Sequence, residues 1–171
     1  MTKSTKILKN ILITGSPGTG KTTISKRLAE KLDWNYISIN DVAKENDLYD
    51  GYDEKFSCKI IDEDLIMDHI EGTMQKEENI VEYHYCDFFP ERWFSLVIVL
   101  RTDNEILAKR YDERNYPQEK KMENLSSEIL NYIYDQAIES YQEKIVHQVF
   151  NESDDQLDGN VEKIIDLINK I

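Results

Sequence analysis

Eight residues near the start of the chain, from Gly15 to Thr22, read Gly-Ser-Pro-Gly-Thr-Gly-Lys-Thr. The spacing G-x-x-x-x-G-K-[ST] is typical of loops that bind phosphate groups. Gly15, Gly18 and Gly20 allow backbone N–H groups to turn toward phosphate oxygens. Lys21 can reach the β- and γ-phosphates, and the Thr22 hydroxyl can ligate Mg²⁺. The pattern therefore predicts that the chain binds a nucleoside triphosphate together with Mg²⁺.

The residues on either side of this loop predict the strand and the helix that it needs. The run 11–14 is short, apolar and β-branched, which suits a buried parallel strand. Ile24, Leu28 and Leu32 recur at intervals of four residues, which predicts the buried face of a helix that opens at Lys21. This order of strand, glycine-rich turn and helix distinguishes a phosphate-binding loop from a chance glycine-rich turn.

A second group of chemically active residues follows the third predicted strand, where side chains of a parallel sheet meet the phosphate end of the loop. Glu82 and Asp87 are acidic and can hold Mg²⁺ through its water shell. His84 can orient a water molecule or an acceptor, since histidine exchanges a proton near neutral pH. The alternative is that His84 is an ordinary hydrogen-bonded side chain. His69 and His147, on a predicted helix and strand, are predicted to be structural.

Two arginines, Arg110 and Arg114, stand four residues apart near the end of a predicted helix. Their guanidinium groups can close over the transferring phosphoryl group, whose charge spreads over its equatorial oxygens. Cations at a helix C-terminus also favour the helix dipole by themselves, so both interpretations stay open. Two interpretations also stay open for the aromatic residues around His84, which either line the site or pack in the core: Tyr83, Tyr85, Phe88, Phe89 and Trp93.

The composition limits the kinds of partner and compartment. The chain has 171 residues, of which 21 are basic and 34 acidic, for a formal net charge of −13. This charge argues against direct binding to nucleic acid or to anionic membranes, but it is compatible with a basic protein partner. No apolar run approaches the roughly twenty residues that span a bilayer, and residues 1–10 contain no apolar segment of a secretion signal. Cys58 and Cys86 have no metal-ligand spacing, which predicts reduced thiols in a cytosolic or nuclear protein.

Strand-like and helix-like segments alternate along the chain. Short strands are predicted at 11–14, 35–38, 80–83, 96–100 and 146–150, and a turn-rich loop at 47–53. Helices are predicted from residue 21, at 41–46, from 62, from a capping box at 102–105 to about 114, at 122–141 after a break at Pro117, and along the apolar stripe at 157–168. The alternation predicts an α/β fold in which a parallel sheet is flanked by helices. No repeat or linker is found, so residues 1–171 are predicted to form one domain.

These residues and motifs resemble the adenylate kinase isoenzyme 6 family, whose members are also called coilin-interacting nuclear ATPase proteins. The likeness runs through nearly the whole chain. It includes the phosphate-binding loop with Thr23 directly after it, the string LYDGYD at 48–53 and the string DFFPERWF at 87–94. The loop is shared by many unrelated enzymes, whereas the two strings are far more specific to this family.

The resemblance implies the adenylate-kinase variant of the P-loop NTPase fold, with a monophosphate-binding segment near residues 38–61 and a short lid near 113–123. It implies Mg²⁺-dependent phosphoryl transfer from ATP to AMP, accompanied by ATPase activity. It also implies that Thr23 and Arg114 belong to the ATP-binding residues. The family is further linked to maturation of the small ribosomal subunit, through a small-subunit ribosomal protein, and to both nucleus and cytoplasm.

Four positions depart from the family pattern. Glu82 and Tyr85 stand where the family usually has aspartate and glycine, on either side of a retained His84. Lys44 stands where the family tends to have arginine, and Asn115 where it usually has glycine. A longer acid alters the distance to Mg²⁺, and a lysine cannot grip a phosphate with two parallel bonds. Asparagine tolerates positive φ better than most residues, so the last change is expected to be mild.

Three functions are compatible with the sequence. The first is a nucleoside monophosphate kinase that uses AMP, and the second is an ATPase whose hydrolysis drives a conformational change in ribosome assembly. The third is a nucleotide-gated binding module without chemistry, which the presence of Lys21, Thr22 and the two arginines disfavours. The first two stay open, because one protein can perform both reactions.

Overall fold

The computed structural model of the protein describes residues 6–171. The strands in this part of the chain are β1 (Asn10–Gly15), β2 (Asn35–Ser38), β3 (Tyr49–Asp53), β4 (Cys58–Ile61), β5 (Asn79–Glu82), β6 (Leu96–Arg101) and β7 (Val146–Phe150). Five of them form one parallel sheet in the order β2-β5-β1-β6-β7. The predicted parallel sheet is therefore confirmed. The expectation that no secretion signal is present concerns residues 1–10, of which 1–5 lie outside the described residues.

Helices cover both faces of this sheet, as predicted. They are α1 (Lys21–Leu32), α2 (Ile39–Asn46), α3 (Glu63–Met74), α4 (Asn104–Glu113), α5 (Gln118–Ile129), α6 (Tyr132–Ser140) and α7 (Leu157–Ile168). Neighbouring residues of β1 point to opposite faces. Ile11 and Ile13 join the core that α1 and α7 cover, whereas Leu12 joins the core that α3 and α6 cover. Within residues 6–171, no helix is long and apolar enough to cross a membrane.

The carboxyl ends of the parallel strands meet at one edge of the sheet. The register pairs Ile13 of β1 with Glu82 of β5 on one side, and Gly15 with Leu100 of β6 on the other. The glycine-rich loop starts at this edge, and the segments after β5, β6 and β7 leave from it. Ligands of open α/β sheets bind at such an edge, so the fold brings the sequence-predicted residues toward one place.

Two elements differ from the prediction. The predicted loop at 47–53 is half of a β-hairpin, because β3 pairs with β4 in an antiparallel ladder that is irregular between Tyr49 and Tyr52. Its sequence lacks the alternation of apolar and polar residues that marks a strand. The helix predicted at 122–141 is two helices, interrupted at Asn131, whose φ is 56°. The side-chain oxygen of Asn131 accepts a hydrogen bond from Arg101, so a tertiary contact fixes a break that no proline or glycine announces.

The predicted capping box at 102–105 also acts differently. Asp103 caps α4, and its side chain accepts a hydrogen bond from the backbone N–H of Glu105. Thr102, predicted as the cap, donates its hydroxyl to the carbonyl of Asn151 instead. Thr102 lies beside the end of β7, so its hydroxyl bonds to the carbonyl of Asn151 and does not cap α4.

Candidate active site

The phosphate-binding loop, residues 15–20, joins the end of β1 to the start of α1, and two of its glycines are required by its shape. Gly20 has a φ of 93°, and a Cβ at this position would collide with Nδ2 of Asn151. Gly15 has a φ of 144°, and a Cβ there would lie 2.6 Å from the carbonyl oxygen of Leu100. The loop can pass this close to β6 and to the end of β7 only because both positions are glycine.

The carbonyl groups of the loop are held from several directions. Four side chains donate to them: Lys21 Nζ to Gly15 and Ser16 (3.0 and 3.1 Å), Tyr111 Oη to Pro17 (2.5 Å), Arg110 to Gly18 (2.6 Å) and Asn151 Nδ2 to Thr19 (2.9 Å). These donors come from the loop's own helix, from α4 and from the residue after β7. Outward carbonyls leave the backbone N–H groups free to face a phosphate.

The charge of Lys21 depends on its surroundings. Burial is the main cause that lowers the pKa of Lys21 to about 8, and the guanidinium of Arg114 lowers it as well. The carboxylates of Glu82 and Glu128 act in the opposite direction and favour the ammonium form. At neutral pH the side chain therefore carries the positive charge that a triphosphate requires.

Glu82 is the last residue of β5 and is 8 % exposed. One of its oxygens accepts a hydrogen bond of 2.5 Å from the Thr22 hydroxyl, and the other accepts one from the Tyr36 hydroxyl on β2. Mg²⁺ binds proteins through one or two oxygen ligands and takes the rest from phosphates and water. Thr22 and Glu82, two of the three residues predicted to serve Mg²⁺, therefore form a pair that fits this ion.

Asp87, the third residue predicted to serve Mg²⁺, faces a different group. Its side chain is exposed, and its charge acts on Glu63 at the start of α3, whose pKa is raised first by burial and then by Asp87. In residues 6–171, no three His, Cys, Asp or Glu side chains cluster into a metal site of their own. The geometry of the described chain thus favours Glu82 over Asp87 as the acid beside Thr22.

His84 lies beside the loop and is uncharged. Burial lowers the pKa of His84 to about 3, and the positive charges of Lys21 and Lys120 lower it further. Its ring packs against Tyr83 and Tyr85, with centroid distances of 4.5 and 4.3 Å. A neutral imidazole can accept or donate one hydrogen bond, but it cannot act as a cation at pH 7.

The aromatic residues around His84 divide into two groups. Tyr83, Phe89 and Trp93 are buried in the core, and Phe88 packs against that core. Tyr85, in contrast, is 42 % exposed and lines a cavity next to the loop. The packing interpretation therefore holds for most of the aromatic set, and Tyr85 is the member that reaches the site.

The other two histidines lie on the elements where the sequence predicted them: His69 is exposed on α3, and His147 lies on β7.

The two arginines predicted as one clamp have different surroundings. The guanidinium of Arg110 donates to the carbonyl of Gly18 and, at 3.2 Å, to that of Glu152. Arg114 is exposed at the C-terminal cap of α4, and a guanidinium nitrogen lies 3.8 Å from the place that a Cβ on Gly18 would occupy. Arg110 therefore holds the loop, whereas Arg114 is exposed and has a guanidinium nitrogen beside Gly18.

Two cavities flank the loop. The larger, of about 350 Å³, is lined by the first loop residues, the segment after β5 and the helices α5 and α6, including Ser16, Pro17, His84, Tyr85, Asn124 and Tyr132. The smaller, of about 190 Å³, is lined by the later loop residues, α4 and the segment after β7, including Gly18, Gly20, Thr23, Arg114, Asn151 and Ser153. The two linings share no residue, so the loop lies between two separate spaces.

Three residues at the site were not predicted from the sequence. Tyr36 binds Glu82, Asn151 binds the loop carbonyl of Thr19, and Glu128 binds the Ser16 hydroxyl. Each comes from a segment with no motif of its own. The stretch around Glu128 on α5, Asn-Leu-Ser-Ser-Glu-Ile at 124–129, gives no signal that this acid is buried.

We expect His84 to make stability depend on pH. The unfolded histidine has a pKa near 6.5, whereas the folded one stays neutral down to about pH 3. The unfolded state therefore binds more protons in this range, so the histidine's contribution is present above pH 6.5 and is lost as the pH falls. Between pH 7.5 and 5, wild-type protein should lose up to about 2 kcal/mol more unfolding free energy than His84→Asn.

Urea titrations at both pH values measure this difference. His69→Asn is the matched control, because His69 is exposed on α3 and should leave the pH dependence unchanged. An identical loss in wild-type protein and in His84→Asn would contradict the neutral state of His84 in the folded protein.

Comparison with known proteins places these features in a family. A family model described as an AAA domain matches residues 11–131. The chain is 42% identical over 168 residues to the adenylate kinase isoenzyme 6 homolog of Caenorhabditis elegans, covering 97% of this chain and 92% of the relative. It is 50% identical over 137 residues to the Dictyostelium discoideum homolog of the same name, covering 80% and 78%.

Solved structures share the fold at low sequence identity. Shikimate kinase from Bacteroides thetaiotaomicron matches with a TM-score of 0.60 and 17% identity, over 95% of this chain and 99% of that chain. Dephospho-CoA kinase from Campylobacter jejuni matches with a TM-score of 0.58 and 20% identity, over 94% and 97%. With the fold of these P-loop kinases and relatives at this level of identity, the chain belongs to the adenylate kinase isoenzyme 6 family.

Proposed function

We propose that this protein is an adenylate kinase that transfers the γ-phosphoryl group of ATP to AMP with Mg²⁺. The observation that carries the proposal is the pair of separate cavities on either side of the phosphate-binding loop. A kinase must hold ATP and a second substrate at the same time, whereas an ATPase needs only room for water beside its ATP. The family membership supports the same choice of substrates.

The smaller cavity suits the donor. The triphosphate of ATP would follow the loop to the N-terminus of α1, where Lys21 and Thr22 lie. The base and ribose would then occupy the space between Gly18, Thr23 and Asn151. Asn151 also donates a hydrogen bond to the carbonyl of Thr19 in the loop. The same residue would therefore contact the bound nucleotide and fix the shape of the loop.

The larger cavity suits the acceptor, because it opens on the opposite side of the loop, beside His84 and Tyr85. Its volume of about 350 Å³ lies within the range of small-ligand sites. The hairpin of the predicted monophosphate-binding segment, 38–61, reaches this side through an ion pair of 3.5 Å between Lys55 and Glu123. We assign AMP to this cavity and assign the hairpin the role of covering it.

The turn between α4 and α5 suits the short lid predicted at 113–123. Asn115 adopts a φ of 55° there, in line with its tolerance of positive φ. Tyr116 stacks on Tyr111 at 5.0 Å, and Lys121 pairs with Asp112 at 2.6 Å. These contacts brace the turn against α4, and Arg114 stands at its start.

The chemistry requires positioning and charge stabilisation rather than a strong base. Mg²⁺, held by Thr22 and Glu82 together with ATP, would supply positive charge to the β- and γ-phosphates. Lys21 would neutralise the same oxygens from within the loop, and Arg114 would stabilise the charge that develops during transfer. The phosphate of AMP is already anionic, so a neutral His84 is sufficient as a hydrogen-bonding neighbour of the acceptor.

ATP hydrolysis and a role in ribosome assembly are further parts of the proposal. A neutral His84 beside the loop can accept a hydrogen bond from a water molecule, which favours some ATPase activity. Binding to a small-subunit ribosomal protein, and residence in nucleus and cytoplasm, rest on the family resemblance. The formal net charge of −13 is compatible with a basic partner of that kind.

The first test compares ADP production with and without AMP. ADP formation from Mg–ATP should rise several times when AMP is added, because the acceptor then occupies the larger cavity in place of water. A coupled assay with ATP alone, with ATP and AMP, and with EDTA added measures the two activities and their metal requirement. A rate that AMP does not change would contradict the kinase assignment and favour an ATPase.

A second test removes the cation of the loop. Lys21→Ala should lower turnover by about 10²–10³-fold, because one preorganised positive group is lost from the transferring phosphoryl group. The circular dichroism spectrum should stay unchanged, since Lys21 is not a core residue. Turnover at the wild-type level in a folded variant would contradict the assignment of the loop as the donor site.

A third test separates the two arginines. Arg114→Ala should lower kcat by about a hundredfold with little change in ATP affinity, because this arginine acts mainly in the transition state. Arg110→Ala is the matched comparison, and it should weaken ATP binding instead, since Arg110 holds the carbonyl of Gly18. An effect of Arg114→Ala that is confined to KM would identify a ground-state contact.

A further inference from the structure

Glu128 is a buried carboxylate near the end of α5, and its two oxygens bind different parts of the molecule. The residue is 4 % exposed. Oε2 accepts a hydrogen bond of 2.8 Å from the hydroxyl of Ser16 in the phosphate-binding loop. Oε1 accepts one of 2.5 Å from Nε of Arg101 and one of 3.4 Å from the backbone N–H of Thr102. Glu128 thus joins the loop to the end of β6.

Arg101 makes this connection rigid. Its guanidinium also donates to the backbone carbonyl of Glu128 at 3.0 Å, to Asn131 at 2.6 Å and to Gln148 at 2.7 Å. The arginine therefore neutralises Glu128 and at the same time fixes the break between α5 and α6. The carboxylate has one oxygen locked to this framework and one directed at Ser16.

The division of the two oxygens argues against a purely structural ion pair. A buried ion pair contributes little net stability compared with apolar residues of the same size, and it would need no contact with the loop. Glu128 lines neither cavity, so it reaches a ligand only through Ser16. Its charge also favours the ammonium form of Lys21, and both effects act on the same loop.

We propose that Glu128 is a positioning residue that holds the first half of the phosphate-binding loop in its nucleotide-accepting shape through Ser16. The proposal rests on the donor site proposed above. Because Arg101 ties Glu128 to the α5–α6 junction, the loop is also fixed relative to α5, which begins within the proposed lid segment 113–123.

The test is a double-mutant cycle on ATP affinity, measured by calorimetry without AMP. Ser16→Ala and Glu128→Gln should each raise the Kd for Mg–ATP by about tenfold, because the first removes the charge-assisted hydrogen bond and the second removes the charge that strengthens it. The double variant should also show about a tenfold loss rather than about a hundredfold loss, since one interaction cannot be lost twice. Ser16→Thr, which keeps the hydroxyl, should restore affinity.

Stability and charge are controlled separately. Glu139→Gln removes one acid from the exposed face of α6 and should change neither affinity nor unfolding. If Glu128→Gln fails to fold, Ser16→Ala still tests the contact, because it leaves the Arg101 ion pair intact. A structural role alone would lower the unfolding free energy and leave the Kd of the folded variants at the wild-type value.

Three results would overturn the positioning role. Wild-type affinity in folded Ser16→Ala would show that the loop does not need the contact. Tighter ATP binding in either variant would show that the contact holds the loop in a closed shape. A wild-type protein that binds no ATP would overturn the proposed donor site and this inference together, whereas the first two results leave the donor site standing.

Discussion

A loop that binds phosphate with its backbone N–H groups must turn its carbonyl groups outward, and those carbonyls need donors of their own. Here Tyr111 and Arg110 of α4 and Asn151 after β7 each donate to one loop carbonyl, and Lys21 at the start of α1 donates to two. A buried carbonyl without a partner costs about 1–3 kcal/mol. The shape of the loop therefore depends on elements that are remote from it in sequence, and the site is built around this requirement.

The same requirement explains why one helix carries two arginines with different surroundings. Arg110 and Arg114 are one helical turn apart, so both face the loop from α4. The first is bound to the carbonyl of Gly18, and the second extends beyond the helix end over the same glycine. A cation stabilises developing charge best when its surroundings are already fixed. The helix whose side chains hold the loop thus also carries Arg114 beside Gly18.

The sequence predicts the part of this site that is contiguous. Gly15 to Thr22 and the strand before them are recognisable because the motif and its context lie within a dozen residues. Asn151 and Glu128 cannot be recognised in this way, because they lie 132 and 112 residues from the loop residues that they bind. The break at Asn131 has the same origin: Arg101 binds its side chain, and local helix propensity has no information about that contact. Long-range polar contacts are the part of the structure that spacing does not encode.

The departure at Glu82 shows how such contacts accommodate an unusual residue. An aspartate at this position would end about 1.5 Å short of where the glutamate carboxylate lies. In this chain each carboxylate oxygen of Glu82 accepts a hydrogen bond from a hydroxyl group, one from Thr22 on α1 and one from Tyr36 on β2. Both donors restrict the extra torsion that glutamate has over aspartate, so the carboxylate keeps one orientation at the end of β5. The position of the acid is thus set by three secondary-structure elements, β5, α1 and β2, and the longer side chain lies beside Thr22, where we propose that Mg²⁺ binds.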